Sequence, residues 1–222
     1  MMSLPAPADG SAPGYFGVYP AIVTDIVDEK RLGRIEVRFP WLGRDGDRDV
    51  RAWATLCSPY ADGRQGLLAL PEVGSQVVVA FEAGNPRRPY VLGAAWNGRA
   101  ELPHEPQAAN NLRQLRSRAD SRLEFDDTAG AARVRITMAS GHEVVLDDAA
   151  QQVTIRHSGG SVVRLTPTTV QVEARAAVEV KASTVTVDAA LSTFNGLVKC
   201  ATLITDQMVI SPAYTPGAGN IW

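Results

Sequence analysis

The fold is decided by Val134-Arg135-Ile136-Thr137-Met138, Glu143-Val144-Val145-Leu146 and Val153-Thr154-Ile155-Arg156-His157, where apolar and polar residues alternate or nearly alternate. Turn residues separate these runs: Ala139-Ser140-Gly141 and Asp147-Asp148. Alternation with a period of two between turn signals indicates short, half-buried β-strands. The pattern continues in both directions, from Leu123 to Val187, and predicts a ladder of strands over this half of the chain.

Such a ladder is poor in the side chains that a self-contained core needs, because its apolar residues are mostly Val and Ala and aromatic residues are scarce. Burying an aliphatic side chain yields roughly 1.5–3 kcal/mol, whereas ordering the backbone costs ~1–2 kcal/mol per residue. Two architectures resolve this shortage. One is a β-solenoid that stacks its own rungs, and the other is an intertwined oligomer in which identical chains share one core.

Alternation also predicts which side chains face the axis of a shared core. The predicted axial residues are Val153, Ile155, Val170, Val172, Val178 and Val180. His157 has the same phase as Ile155, so three copies on an axis could hold a metal ion, a water molecule or an anion. The alternative is that the phase slips before Ser158-Gly159 and leaves His157 in solvent. We favour that alternative and predict no metal site.

The N-terminal half has a different pattern. Residues 15–98 contain five or six strand-like runs, separated by Gly and Pro turns, and most of the aromatic residues of the chain. This pattern is typical of a small closed barrel such as an OB-fold. The expected organisation is all-β, with a flexible tail over 1–14, the barrel over 15–98, a linker over 99–121 and the strand ladder over 122–222.

Composition excludes several classes of protein. The 222 residues carry a net charge of −2, which gives no overall basic field for nucleic acid. Cys57 and Cys200 form no metal-binding motif and are expected to be reduced thiols. No apolar run approaches the ~18 residues of a membrane span. Met1 to Gly14 lacks the features of a signal peptide, so we expect synthesis in a reducing cytoplasm.

Several motifs in the first half are specific in combination. They are Arg38-Phe39-Pro40-Trp41, Arg51-Ala52-Trp53-Ala54, the run from Leu70-Pro71-Glu72-Val73-Gly74 to Tyr90-Val91-Leu92-Gly93, and Leu123-Glu124-Phe125-Asp126-Asp127. In this order they resemble the central spikes of contractile tails, a family that includes phage baseplate assembly protein V and the VgrG spikes of type VI secretion. The ending Ser211-Pro212-Ala213-Tyr214 also resembles baseplate V proteins.

The resemblance implies an OB-fold that docks on a baseplate hub, followed by an intertwined trimeric β-helix that forms a needle. It implies a homotrimer that pierces a target cell envelope, as part of a phage tail, a tailocin or another injection particle. Ile221 and Trp222 would lie at the tip, where a PAAR-like protein is the expected cap. A separate hub protein is expected, because no hub domain precedes the barrel.

Three departures from the family limit this resemblance. Ala119-Asp120-Ser121 stands where the family often has a Gly-His pair, and the linker is too short for an inserted lysozyme domain. His104, His142 and His157 form no His-x-His pair of the kind that binds iron at the apex of some spikes. We therefore expect no cofactor.

Two other classes of function remain open at this level. One is an OB-fold binding module for nucleic acid or glycan on a β-solenoid stalk, with Trp41, Trp53 and Trp96 as candidate stacking residues. The other is an enzyme such as a cell-wall hydrolase. No acid–base or nucleophile constellation supports an enzyme, because the pairs Asp126-Asp127 and Asp147-Asp148 lie at strand ends, where Asp favours turns. We predict neither catalysis nor nucleic-acid binding.

Overall fold

The computed structural model describes residues 14–45, 48–207 and 209–211. Within these ranges the regular elements are β-strands and two short 3-10 helices, Pro40–Leu42 and Glu82–Gly84. None of the helices in the described ranges has the length and hydropathy needed to cross a membrane. The all-β fold class predicted from the sequence is confirmed.

Five strands of the N-terminal half close into a barrel. They are β1 (Val18–Asp25), β2 (Arg34–Arg38), β5 (Arg51–Leu56), β8 (Gln76–Phe81) and β9 (Pro89–Ala94). Their order around the barrel is β1-β2-β5-β9-β8, with β8 pairing back onto β1. Only the β5–β9 pair in this barrel is parallel. A small, closed five-stranded barrel is the architecture of an OB-fold, and the predicted barrel is confirmed.

Two short hairpins project from the barrel. The first pairs β3 (Arg44–Asp45) with β4 (Arg48–Asp49), and the second pairs β6 (Ala61–Asp62) with β7 (Gln65–Gly66). Gly66 closes the second hairpin with a φ of +146°, and a Cβ atom at this position would lie 2.6 Å from the carbonyl oxygen of Tyr60. This close approach of two backbone segments therefore requires glycine.

The barrel core is built from the inward positions of the alternating strands. Its buried residues are Ala21, Val23, Ile35, Val37, Phe39, Ala54, Val77, Val79, Phe81 and Val91. Partly buried aromatic rings pack against this core: Tyr19 stacks on Trp41 with ring centroids 4.6 Å apart. The indole N–H of Trp41 donates a hydrogen bond to the carbonyl oxygen of Pro20 at 3.0 Å. The barrel therefore has a core of its own.

A seven-stranded antiparallel sheet follows the barrel, with its strands in sequence order. They are β10 (Leu112–Arg116), β11 (Arg122–Asp126), β12 (Arg133–Thr137), β13 (Glu143–Asp147), β14 (Gln152–Arg156), β15 (Val162–Leu165) and β16 (Val170–Glu173). Strand β10 lies within the stretch that the sequence assigned to the linker.

A second unit begins at Ala174. Residues 174–207 and 209–211 contain no helix or strand, and their side chains are exposed. The apolar side chains of Val178, Val180, Val185 and Val187 are each more than 60% exposed. Described by itself, this unit has no buried side chain in the part that the structure describes.

Candidate assembly surface

One face of the seven-stranded sheet is almost entirely apolar. The pairing register places direct cross-strand neighbours in two continuous rows, because paired residues project to the same side of a sheet. The first row is Arg113, Phe125, Val134, Leu146, Val153, Leu165 and Val170. The second row is Leu115, Leu123, Ile136, Val144, Ile155, Val163 and Val172. We call this surface the apolar face.

Among the described residues up to Glu173, side chains of the apolar face remain partly exposed. Phe125 is 45% exposed, Ile155 48% and Val172 55%. Exposed apolar patches on monomeric proteins are rarely this continuous, and patches of this kind mark sites of association. The unit that ends at Glu173, described by itself, therefore leaves apolar surface of the sheet exposed.

The opposite face is polar and holds a network of charges. The Arg133 guanidinium lies 3.0 Å from the Asp126 carboxylate. The Glu143 carboxylate lies between two guanidinium groups, with Arg135 at 3.3 Å and Arg156 at 3.7 Å. These ion pairs hold the charged side chains of this face together within the sheet.

Two carboxyl groups at strand ends have lowered pKa values. The hydroxyl and the backbone N–H of Thr128 donate to Asp126, and with the neighbouring Arg133 they stabilise the ionised form and lower its pKa. Hydrogen bonds from Arg122 and Arg116 lower the pKa of Asp120 in the same way. Both groups stabilise turns, as the sequence predicted for Asp126.

The structure brings four of the six predicted axial residues onto the apolar face. Val153 and Ile155 lie on β14, and Val170 and Val172 lie on β16. Val178 and Val180 belong to the unit that begins at Ala174 and are exposed there. The proposed tip residues Ile221 and Trp222 lie outside the described residues. The axial assignment itself stays a prediction, because it concerns contacts between copies.

The sequence analysis did not single out the other members of the two rows. Phe125, Leu146, Val163 and Leu165 share the face with the predicted axial residues. Following the alternation across each turn would have found them, because every hairpin keeps the register between its two strands.

His157 has an unpredicted neighbour. Its ring centroid lies 4.4 Å from that of His142. The backbone N–H of Gly159 donates to Nδ1 of His157 at 2.9 Å, and that of Ser158 donates to Nδ1 of His142 at 3.3 Å. Both Nδ1 atoms are therefore engaged as hydrogen-bond acceptors. Within the described ranges, no cluster of three or more potential metal-ligating side chains exists in the single chain.

The three tryptophans considered as stacking residues lie in different environments. Trp41 packs against the barrel core, and the Arg34 guanidinium lies over the half-buried Trp53, 5.7 Å from the ring centroid. Trp96 is 64% exposed at the end of the barrel. They form no continuous stacking platform of the kind that binds a single strand.

The barrel and the sheet are joined by contacts near the first turn of the sheet. The Arg118 guanidinium, between β10 and β11, lies 3.1 Å from the Glu72 carboxylate of the barrel. Arg116 on β10 donates to the carbonyl oxygen of Pro103 at 3.2 Å. The apolar residues Leu115 and Leu123 flank this turn on the same face.

The barrel matches a known family model. Residues 19–96 match the type VI secretion system/phage-baseplate injector OB domain. This range begins in β1 and extends just past β9, so it covers the closed barrel.

Curated spike proteins are similar over a longer part of the chain. The type VI secretion system spike protein VgrG5 of Pseudomonas aeruginosa is 31% identical over 146 residues, which is 63% of this chain and 18% of that protein. VgrG3 of Vibrio cholerae is 24% identical over 132 residues, 57% of this chain and 13% of that protein. VgrG1b of Pseudomonas aeruginosa is 23% identical over 127 residues, 53% of this chain and 17% of that protein.

The chain therefore aligns with less than a fifth of the length of these curated relatives. The matched part includes the barrel, whose strand order was described above. Residues 19–96 are therefore similar to the type VI secretion system/phage-baseplate injector OB domain, and the chain that carries them is similar to VgrG spike proteins.

Proposed function

We propose that this protein is the central spike of a contractile injection machine and that it acts as a homotrimer. The observation that carries the proposal is the apolar face, whose two rows are partly exposed among the described residues up to Glu173. Full burial of an aliphatic side chain yields roughly 1.5–3 kcal/mol, and these side chains are already about half buried, so each would add about half of that to the assembly. Three copies that turn this face inward would share one core and keep their paired charges in solvent.

The unit that begins at Ala174 supports the same arrangement. Its exposed valines continue the alternating pattern, but the described residues form no strand within the chain. Backbone groups that become buried in an assembly need hydrogen-bond partners, and strands of other copies would supply them here. Under this proposal, residues 122–222 of three copies wind into a β-helical needle, with Val178 and Val180 on its axis and Ile221 and Trp222 at its tip.

The role of such a spike is mechanical. The barrels, residues 15–98, would dock on the baseplate hub at the end of the tube, and a PAAR-like protein would cap the tip. Contraction would then drive the needle into the target cell envelope. The intertwined strands would leave no free sheet edge, which suits a part that resists unfolding under load. The proposal includes no catalysis and no cofactor.

The number of copies is the first point to test. A face-to-face dimer would also cover the apolar face. The molar mass in solution distinguishes a dimer from the proposed trimer. Size exclusion coupled to light scattering should give three times 23.7 kDa. On an unheated denaturing gel the trimer should resist detergent until it is boiled. A compact monomer or a dimer would contradict the proposal.

A binding module on a solenoid stalk makes different predictions. It would be a monomer in solution, and its affinity for single-stranded DNA would fall steeply with salt. The scattered positions of Trp41, Trp53 and Trp96 favour the spike over this alternative.

A further inference from the structure

Two hairpin turns lie next to each other at one edge of the seven-stranded sheet. Residues 138–142 connect β12 to β13, and residues 157–161 connect β14 to β15. Because β13 and β14 are neighbouring antiparallel strands, the two turns fall at the same edge. Each turn contributes one histidine, and the ring centroids of His142 and His157 are 4.4 Å apart. The two side chains therefore form a contact between hairpins that share no strand.

Backbone N–H groups of the second turn donate to both rings. Gly159 donates to Nδ1 of His157 at 2.9 Å, and Ser158 donates to Nδ1 of His142, on the other hairpin, at 3.3 Å. A Cβ atom on residue 159 would lie 2.9 Å from Nδ1 of His157, so glycine permits this close approach. Both hydrogen bonds require an unprotonated Nδ1, because a ring nitrogen that carries a proton only donates. The contact therefore depends on neutral imidazoles.

The charged groups nearest to this edge already have partners of their own. They are Glu143 with Arg135 and Arg156, Arg118 with Glu72, and Asp120 with Arg116 and Arg122. Among the described residues, no ion pair includes His142 or His157. Positive charge on both rings would therefore meet no carboxylate, and two charges at this separation repel each other.

We propose that His142 and His157 form an acid-sensitive latch between the two hairpins. Solvent reaches both rings, since His142 is half-buried and His157 is exposed. An imidazole of ordinary basicity changes its charge between about pH 5 and pH 8. A proton that binds Nδ1 displaces the backbone donor, and the second turn is released from the first.

The turn loosens in acid but does not unfold. The N–H of Gly160 still donates to the carbonyl oxygen of His157 at 2.8 Å, and the N–H of His157 still donates to that of Ser161 at 2.9 Å. These backbone acceptors do not titrate. The latch lies within one chain, so it goes beyond the proposed function and does not depend on the number of copies.

Amide hydrogen exchange of the full chain tests the latch. It is measured residue by residue by NMR and corrected for the intrinsic exchange rate at each pH. From about pH 7.5 to about pH 5, the protection of the Gly159 and Ser158 amides should fall about fivefold, because each loses one hydrogen bond to a neutral acceptor. The Ala131 amide is the internal control, since it donates to the carbonyl oxygen of Thr128 at 2.8 Å at the opposite edge. Its protection should stay constant.

His157→Asn is the matched variant. The side-chain oxygen of an asparagine accepts the N–H two residues on, in the geometry that Asp25 already makes with Val27 at 2.9 Å, and the amide does not titrate in this range. The Gly159 amide should then keep its protection at both pH values. The Ser158 amide should still lose protection in acid, because its acceptor belongs to the other hairpin.

His142→Ala separates the two hydrogen bonds. The Ser158 amide should exchange quickly at both pH values, whereas the Gly159 amide should remain sensitive to pH. Protection of Gly159 that does not change with pH in the unmodified chain would overturn the latch, and so would an equal fall in His157→Asn. A parallel fall at Ala131 would also overturn it, because acid would then loosen the whole sheet. The mass of the assembly, which tests the proposed function, is a separate measurement.

Discussion

Ile155 on β14 lies directly opposite Val163 on β15, and both side chains project from the same face of the sheet although Ile155 is 48% exposed. Apolar cross-strand pairs of this kind stabilise a sheet only modestly while water still contacts them. The same relation recurs from β11 to β16. Under the proposed function, this face would be covered by other copies of the chain.

A charge on the apolar face should prevent assembly. We expect Val172→Asp to convert the trimer to a monomer, because three carboxylates would be buried together without partners. The measurement is light scattering coupled to size exclusion, where the mass should fall from three times 23.7 kDa to the mass of a single chain.

Gln171→Asp is the matched control for this variant. Gln171 is the adjacent residue on the same strand, but it projects to the polar face and accepts a hydrogen bond from Arg164 at 3.1 Å. An aspartate there would meet the Arg164 charge, and the trimer should persist. If both variants stay trimeric, the assignment of the apolar face to the interior of the assembly is wrong.

The stability of the barrel should depend on its aromatic core whether or not the chains associate. Phe39 is 2% exposed and lies 5.6 Å from Phe81, centroid to centroid. We expect Phe39→Ala to lower the free energy of unfolding of the barrel by about 3–5 kcal/mol, the usual cost of emptying such a site. Urea denaturation followed by near-ultraviolet circular dichroism measures this loss. Val18→Ala removes methyl groups from an exposed position and should change the midpoint little.

The strand ladder and the barrel could be predicted from the sequence because their signals are local. Alternation around Ile155 and the turn residues between the runs specify strands, and the density of aromatic residues before Gly98 indicates a closed core. Strand β10 was missed because Leu112-Arg113-Gln114-Leu115-Arg116 is short and its spacing also fits a helical turn. Its antiparallel pairing with β11 shows that this segment is a strand.

Features that depend on distant parts of the chain could not be predicted in this way. The His142–His157 contact arises from the register of β13 against β14, which sequence spacing alone does not reveal. A cleft beside Leu68 forms because the β6–β7 hairpin folds next to the turn that follows Ile26. The proposed cover of the apolar face is supplied by other copies, whose contacts the pattern of one sequence does not reveal.

Lowering the pH should destabilise the sheet, because Asp126 becomes protonated. Its pKa is lowered in the folded chain by the hydrogen bonds from Thr128 and by Arg133, so the folded state binds a proton less readily than the unfolded state. This stabilisation is fully present above the ordinary Asp pKa of about 3.9, and it is lost as the pH falls through the lower folded value. Thermal denaturation at a series of pH values from neutral to strongly acidic would measure it.

Asp126→Asn should lower the melting temperature at neutral pH, and the difference from the unmodified chain should shrink as the pH falls. Asp148→Asn is the control, since no ion pair of Asp148 occurs in the described part of the chain. A difference that stays constant across the pH range would show that the Asp126 charge contributes nothing and that the substitution acts through packing alone.

The last prediction concerns the unit that begins at Ala174. Lys181 and Lys199 lie in exposed, strand-free segments of the single chain, so trypsin should cleave there readily unless other copies pair with them. We expect both sites to resist limited proteolysis in the trimer and to be cut rapidly in Val172→Asp, because proteases act on backbone that is free to adapt to their active sites. Mass spectrometry of the fragments identifies the sites. Equal, rapid cleavage at Lys181 in both proteins would mean that residues beyond 174 stay unpaired in the assembly. The needle would then end near Glu173, and the shared core would consist of the seven-stranded sheets alone.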